Sequence, residues 1–425
     1  MSGIYKNTTV AIFFFFFYGI SVAFAQSTPN LYFLENDLKY ERIPFTFSGN
    51  QIIIQLQLNG SKPLNFILDS GVKTPIIIDV PQFDTIEIRD YKKIEVKGLG
   101  QGDGIEALIA YDNRINVGDN IVNHNQTVIV LLEDIFHLSN KLGHNINGII
   151  GFDLFRDFIV EINYDNQYLK LHDPKKFKYP RSKKYISKPL TFHRGKPFVN
   201  LEVELGYPSD NNTEKKIVPV KLLVDTGGSD ALWLFINSHQ GIEEPKKYIN
   251  DFLGSGLSGD IFGKRSRISG LHIGDLILED ITVSYPDSSS VSYVMMHKER
   301  NGSIGGAALS KFKVLIDYGN KKITFRKGSN FRKGFYYNMS GMELKMPYPE
   351  FPVYEVSSVR EGSPAEEAGV MVGDIVKHIN YGSSASMTFP EIMSKFRTGD
   401  RKKIKLVLDR NGEKVKVTFR LRKTI

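Results

Sequence analysis

The sequence carries one short pattern twice, and this duplication constrains the fold more than any other feature. The pattern is an apolar run that ends in Asp-Ser/Thr-Gly; it occurs at Phe66–Gly71 and again at Leu222–Gly227. A run of large apolar residues predicts a buried strand, and an acid followed by a small hydroxyl residue and glycine predicts a tight turn. Each copy therefore places a carboxylate, Asp69 or Asp225, at the end of a core strand.

The sequence around the two copies repeats as well. Asn147–Gly151 aligns with Asn301–Gly305. A second pair of segments, Val117-Gly118-Asp119 and Ile273-Gly274-Asp275, has the same spacing as Asp69 and Asp225. The first alignment continues without a gap through the apolar pairs Phe158/Phe312, Val160/Val314, Ile162/Ile316, Tyr164/Tyr318 and Leu169/Ile323. Self-similarity of this kind indicates repeated structural units. The sequence therefore predicts two homologous lobes.

This order of elements resembles that of the pepsin-like and retropepsin aspartic proteases. A lobe in these families has a strand, Asp-Thr/Ser-Gly, a glycine-containing flap and a hydrophobic-hydrophobic-Gly turn before a closing strand. The resemblance implies a mainly β, bilobal aspartic-protease fold with lobe 1 at residues 40–172, a basic linker at 173–187 and lobe 2 at 188–328. It implies a catalytic pair formed by Asp69 and Asp225. The supporting residues would be Ser70, Gly71, Thr226 and Gly227, and the two hydroxyl side chains would join the lobes by hydrogen bonds.

Each lobe also needs a hairpin that covers the cleft, and glycines mark a candidate in both. Glycine permits positive φ and close backbone approach, as a mobile cover over an extended peptide would need. Plain flexible hairpin turns would show the same composition, so both interpretations stay open. The candidate flap residues are Gly98, Gly100 and Gly102 in lobe 1 and Gly256 and Gly259 in lobe 2.

The chemistry expected of such a pair follows from its charge. Two carboxylates about 3 Å apart share one proton, and their pKa values split. The ionised member can take a proton from water while the protonated member polarises the scissile carbonyl. No metal, cofactor or covalent intermediate is needed. The nine histidines show no HExxH pairing and the sequence has no GxSxG motif, so metal hydrolysis and a serine triad are disfavoured.

Lys73 occupies the position in lobe 1 where lobe 2 has Ser229. If its ammonium lies close to Asp69, it would favour the ionised carboxylate and lower the pKa of the pair. If it points away, it is a solvated charge.

The segment from about residue 340 has a different character. Ser363–Gly369 has a serine N-cap, a proline at the first helical position and a closing glycine, and two alternating strands flank the Asn411-Gly412 turn. With Gly373-Asp374, these features resemble a PDZ domain of the bacterial envelope-protease type, at residues 340–425. Such domains bind a peptide between a sheet edge and a helix. The resemblance implies a groove between an edge strand at 353–359 and a helix at 390–397, lined by Phe351, Val353, Tyr354 and Ile392.

The loop before the expected edge strand does not decide what this segment would bind. Residues 347–352 contain three prolines and no glycine, so few backbone N–H groups are available to hold a terminal carboxylate. Binding of a peptide ligand and docking onto the protease lobes remain alternatives.

The first residues predict export. Lys6 precedes a short apolar run, and Ala23-Phe24-Ala25 is a small-x-small site, so a signal peptide at residues 1–25 is expected, with no stable membrane span after its removal. The chain has no cysteine. An exported protein of this size without disulfides suggests the periplasm of a bacterial envelope. The net charge of +8 includes a basic run at 175–184, which indicates a solvated linker because no nucleic-acid motif accompanies it.

The sequence therefore predicts an aspartic endopeptidase acting on polypeptides, with a PDZ module for peptide binding or regulation. The alternative is a catalytically silent peptide-binding protein on the same frame.

Overall fold

The computed structural model describes residues 31–78, 86, 88, 90–96, 105–132, 137–208, 216–256, 259–296, 300–348 and 350–425. The protein is mainly β, as predicted, with 50% strand, 10% helix and a closed six-stranded barrel. The expected signal peptide at 1–25 and the glycines at 98, 100 and 102 lie outside the described residues. Within the described part, no helix is long and apolar enough to cross a membrane.

Residues 31–172, which contain the first copy of the repeat, form two short helices, a nine-stranded sheet and three strands, β2, β11 and β12, of the sheet that continues into the second copy. We call the region from 40 to 172 the first repeat. The elements are β1 (Phe33–Leu34), β2 (Tyr40–Pro44), β3 (Thr46–Ser48), β4 (Gln51–Leu58), β5 (Leu64–Leu68), β6 (Ile76–Ile77), β7 (Tyr91–Val96), β8 (Ile105–Val117), β9 (Ile121–Leu131), α1 (Leu138–Leu142), β10 (Gly148–Ile150), α2 (Phe152–Asp157), β11 (Ile159–Asn163) and β12 (Tyr168–His172).

Residues 186–327 repeat this order, and we call the region from 188 to 328 the second repeat. The elements are β13 (Ile186–His193), β14 (Lys196–Leu205), β15 (Lys216–Val224), β16 (Leu232–Leu234), β17 (Ile249–Gly256), β18 (Gly259–Ile273), β19 (Leu276–Pro286), α3 (Ser288–Met296), β20 (Gly302–Ile304), α4 (Gly306–Leu309), β21 (Phe312–Asp317) and β22 (Lys322–Lys327).

The strand before each aspartate lies in the middle of its sheet, as its apolar run predicts. In the first repeat, β5 pairs antiparallel with β4 and parallel with β10, so that Leu68 lies beside Ile150. In the second repeat, β15 pairs in the same two ways with β14 and β20, and Val224 lies beside Ile304. Both turns that carry an aspartate therefore emerge from a strand held on both sides.

The two repeats are joined through a continuous sheet. Strand β11 pairs antiparallel with β21, and Val160 lies opposite Ile316 while Ile162 lies opposite Val314. In the sequence repeat, Val160 is equivalent to Val314 and Ile162 to Ile316. Each residue therefore lies opposite the equivalent of the other, which is the pairing that a local twofold axis produces. The apolar core is correspondingly shared, because one cluster includes buried residues of both repeats, such as Leu68, Val160, Val224 and Val314.

The segment between the repeats is mostly exposed and has no regular structure until β13 begins at Ile186, so the linker is slightly shorter than the predicted 173–187. Its lysines are not all solvated. The Nζ of Lys176 contacts the carboxylate of Asp37 and lies 3.9 Å from Asp173 Oδ2.

The C-terminal unit, residues 340–425, is built around a second core cluster. Its elements are β23 (Met342–Lys345), β24 (Glu355–Val359), α5 (Pro364–Glu367), β25 (Ile375–Ile379), β26 (Gly382–Ser383), α6 (Phe389–Lys395), β27 (Lys403–Arg410) and β28 (Glu413–Arg420). As the sequence predicts, Ser363 caps α5 and accepts a hydrogen bond from Glu366 N at 3.3 Å. The strands run in the order β23-β24-β25-β27-β28, with β26 beside β25.

The predicted edge strand at 353–359 is wrong. The strand there, β24, begins at Glu355 and pairs on one side with β23 and on the other with β25. The reason is a further short strand, β23, which pairs with β24 and takes the outer position.

Candidate active site

The two aspartates follow their strands in equivalent ways. Asp69 N donates a hydrogen bond to Ile150 O at 2.8 Å, and Asp225 N donates to Ile304 O at 3.0 Å. These bonds extend the parallel ladders by one residue beyond β5 and β15. Both carboxylates are thereby placed at the start of a turn whose backbone is fixed by a neighbouring strand.

Hydrogen bonds between the two turns bring the repeats together at this point. Ser70 N donates to Thr226 Oγ1 at 2.9 Å, and Thr226 N donates to Ser70 Oγ at 3.2 Å. Each hydroxyl also reaches past the opposite turn to its strand, Ser70 Oγ donating to Val224 O at 2.6 Å and Thr226 Oγ1 to Leu68 O at 2.8 Å. Both side chains are buried. The hydroxyl residues after the aspartates thus make the reciprocal contacts that the resemblance implies.

Each carboxylate accepts a hydrogen bond from its own turn. Gly71 N donates to Asp69 Oδ1 at 2.7 Å, and Gly228 N donates to Asp225 Oδ1 at 2.8 Å. Both aspartates are partly exposed, so the pair is accessible from outside while most of its surroundings are protein.

Gly227 brings the second turn against the first aspartate. A Cβ at Gly227 would lie 2.5 Å from Cγ and 2.6 Å from Oδ2 of Asp69. Real Cβ atoms do not approach this closely, so only glycine leaves room for the carboxylate of the other repeat. The carboxyl group of Asp69 therefore lies directly against the backbone that carries Asp225.

The surroundings raise the pKa of both carboxyls. Burial is the main cause for Asp69, whose pKa is raised to about 7, and the neighbouring charge of Asp225 adds to it. Burial also raises the pKa of Asp225. A desolvated pair of acids holds a proton at a pH at which isolated aspartates are ionised. Near neutral pH the site can contain one proton donor and one proton acceptor.

Two cations that the sequence analysis missed face this pair. The charges of Lys196 and Arg300 lower the pKa values of both aspartates, although less than burial raises them. Lys196 begins β14 just after the Arg194-Gly195 turn, and Arg300 precedes the repeated Asn301 with its guanidinium 5.3 Å from the Phe235 ring centre. Neither residue belongs to a motif, because both reach the pair only through tertiary structure.

Lys73 is exposed, and its charge acts on a different acid. It counters the burial that raises the pKa of Asp153 on α2. The structure thus favours the solvated alternative for this residue.

Tyr318 is a further neighbour without a sequence signal of its own. Its hydroxyl donates to Ser70 O at 3.3 Å, and its ring stacks on Phe155 with the centres 5.5 Å apart. Burial and the charge of Asp69 raise the pKa of Tyr318, which keeps the phenol protonated as a hydrogen-bond donor.

Of the predicted flap residues, Gly256 and Gly259 lie in the described structure. They pair with each other at the end of the β17–β18 hairpin, and Gly259 has a φ of +111°, which favours glycine. The other three predicted flap glycines lie in the segment that is outside the described residues.

The predicted groove of the C-terminal unit is corrected in part. Tyr354 and Ile392 are 1% and 0% exposed and belong to the core of the unit, so they cannot line an open groove. Val353 is half-buried and Phe351 is exposed. The reason is packing within the unit: the Tyr354 ring lies 6.2 Å from that of Phe389 on α6, and its hydroxyl donates to Met387 O.

Among the described residues, no group of three or more histidine, cysteine, aspartate or glutamate side chains is arranged to hold a metal ion.

No protein family model matches this sequence, and no curated protein matches it at a significant level. What the site can do is therefore inferred from its own residues. These are two partly buried carboxyls with raised pKa values, which lie on equivalent turns joined by reciprocal hydrogen bonds.

Proposed function

We propose that this protein is an aspartic endopeptidase with the bilobal architecture of the pepsin-like and retropepsin families and a PDZ-like C-terminal unit. The observation that carries the proposal is the meeting of Asp69 and Asp225 on turns that hydrogen-bond to each other through Ser70 and Thr226. Ion-pair partners are not the main influence on these carboxyls, because burial dominates the pKa shift of each. Perturbed carboxyls of this kind are typical of catalytic sites.

The proposed mechanism uses the one proton that the pair shares. The ionised carboxylate takes a proton from a water molecule, and the resulting nucleophile attacks the carbonyl carbon of the peptide bond. The protonated carboxyl donates a hydrogen bond to the carbonyl oxygen and stabilises the charge that develops there. When the tetrahedral intermediate collapses, the carboxyl that took a proton from water donates that proton to the leaving amine. Gly71 N and Gly228 N hold the two carboxylates in place during these transfers.

Peptide hydrolysis by residues 26–425 tests this function. Purified protein should cleave casein or members of a peptide library, and the pH profile of kcat/KM should be bell-shaped, with both limbs belonging to the pair of acids. Asp225→Asn should abolish cleavage because neither carboxyl alone can perform both proton transfers. Asp119→Asn, which changes an exposed acid in the first repeat, is the matched control and should remain active.

Two results would reject the proposal. One is an Asp225→Asn variant that cleaves at the wild-type rate. The other is a folded wild-type protein that binds peptides and does not hydrolyse any of them, which would instead support the peptide-binding alternative.

We also propose that residues 1–25 direct export and that the mature protein acts in the bacterial periplasm. The support is the basic residue, apolar run and Ala23-Phe24-Ala25 site in the sequence. N-terminal sequencing of the protein from its native cells should begin at Gln26; a sequence beginning at Met1 would contradict the cleavage.

A further inference from the structure

A row of four charged side chains connects the turn of the second aspartate to the C-terminal unit. Asp230, five residues after Asp225, accepts a hydrogen bond from Arg265 Nη1 on β18 at 2.8 Å. Arg265 Nε donates to Asp251 Oδ2 on β17 at 2.7 Å. The other oxygen of Asp251 accepts from Arg360 Nη1 of the C-terminal unit at 3.1 Å. The β17–β18 hairpin thus lies between the aspartate turn and the C-terminal unit.

These four side chains are removed from solvent and have fixed partners. Their exposed fractions are 17% for Asp230, 12% for Arg265, 14% for Asp251 and 16% for Arg360. Asp230 also accepts hydrogen bonds from Trp233 Nε1 at 2.8 Å and Ser284 Oγ at 2.7 Å. Removing one member of a buried charge pair leaves the other without compensation, which is costly. Loss of one member of this row should therefore disturb its neighbours more than loss of an exposed ion pair would.

Apolar contacts reinforce the same junction. Ile249, the first residue of β17, is 8% exposed and packs in the core of the C-terminal unit together with Met339 and Met342. The β17–β18 hairpin is thus partly built into that core. A unit connected only by its linker would have no such shared core.

The C-terminal unit also contacts the first repeat. Met346 N donates to Asn140 O of α1 at 2.8 Å, and a Cβ at Gly143 would lie 2.6 Å from Phe389 Cβ of α6. The unit is therefore fixed to both repeats, and its contacts with the hairpin are made by Ile249 and Asp251 near the start of β17.

We propose that Arg360 is a positioning residue through which the C-terminal unit holds the β17–β18 hairpin, and with it the turn of Asp225, in place. The expected effect of Arg360 on peptide hydrolysis rests on the proposed function. Its effect on the position of the hairpin does not. The unit then regulates the second repeat from within the same chain. Displacement of the unit by a partner would remove the Arg360–Asp251 contact and loosen the hairpin.

Hydrogen exchange of the full-length protein tests the structural part without reference to activity. Arg360→Ala should increase exchange of the backbone amides at 249–256 about tenfold or more, as expected for loss of a hydrogen bond between charged groups. Exchange in β5 should not change. Arg422→Ala is the matched control, because it removes an exposed ion pair with Glu367 in the same unit, and it should leave the hairpin unaffected. Arg360→Lys keeps the charge and should give an exchange rate between those of the wild type and Arg360→Ala. It replaces the alanine variant in this test if that variant does not fold.

Unchanged exchange at 249–256 in Arg360→Ala would overturn the proposal, and so would an equal increase in Arg422→Ala. Kinetics add a second criterion. Arg360→Ala should lower kcat more than it raises KM, because the variant displaces the turn of a reacting group. Adding it to Asp251→Asn should have no further effect, because both act through the same contact. Additive effects would show that they act separately. If the wild-type protein hydrolyses no peptide, the proposed function fails while the exchange result still decides the role of Arg360.

Discussion

Replacing Gly227 by alanine adds one methyl group at the contact between the two repeats. The new methyl group would lie 2.5 Å from Cγ, 2.6 Å from Oδ2 and 2.7 Å from Cβ of Asp69. Unbonded carbon atoms pack at about 3.5–4.0 Å, so about 1 Å of movement is required. A rotation of the carboxyl group does not relieve the contact with Cβ, so the two turns must separate. Gly227 does not have a positive φ, so the effect would come from this contact and not from backbone strain.

The size of the effect follows from this displacement. Overfilling a packed site costs about 1–3 kcal/mol in the free energy of unfolding. Misplacing a reacting group by about 1 Å can reduce the rate about 100-fold. We therefore expect Gly227→Ala to lose about two orders of magnitude in kcat/KM on a short peptide, and to show a moderate loss of stability in urea unfolding.

Two comparisons separate this clash from other causes. Gly71→Ala should be milder, because its Cβ would lie 3.1 Å from Asp69 Oδ1 and 3.7 Å from Leu223 Cδ2. Asp69→Gly removes the side chain with which the new methyl group clashes. Adding Gly227→Ala to Asp69→Gly should therefore change the free energy of unfolding little. A Gly227→Ala protein with wild-type kcat/KM and wild-type unfolding free energy would refute the conclusion that Asp69 lies against the second turn.

Three further predictions concern the charges and hydrogen bonds of the site. Because the pKa of Asp69 is raised to about 7 in the folded protein, its ionisation lowers stability as the pH rises from about 4, the unfolded value, through 7. Asp69→Asn should therefore have a higher Tm than the wild type at pH 8 and an equal Tm at pH 3, and a lower Tm at pH 8 would contradict the raised pKa. Lys196→Met removes a cation that lowers both pKa values and should shift both limbs of the pH–kcat/KM profile upwards, whereas Lys73→Ser should leave them in place. Thr226→Val leaves a buried N–H and C=O unpaired and should reduce the unfolding free energy by about 2–4 kcal/mol, measured in urea, with Thr226→Ser close to wild type as the control.

The sequence by itself determined the features that depend on neighbouring residues. The apolar runs before Asp69 and Asp225 predict buried strands, and β5 and β15 are such strands. The repeated register predicts equivalent elements, and β11 and β21 pair through those equivalent residues. Capping and turn residues also specify local backbone, as Ser363 does at α5. These patterns could be interpreted because strand period, turn geometry and helix capping involve residues only a few positions apart.

Only the tertiary structure decided which distant groups meet. The outer position of β23 changed the expected binding edge, because a four-residue strand has too little periodicity to be recognised from sequence. Lys196 and Arg300 act on the aspartates from other segments, and Arg360 reaches Asp251 from another unit. Electrostatic interactions depend on distance and on the exclusion of water, and both are set when the chain packs. The sequence therefore identified the two acids, and the packing determined what surrounds them.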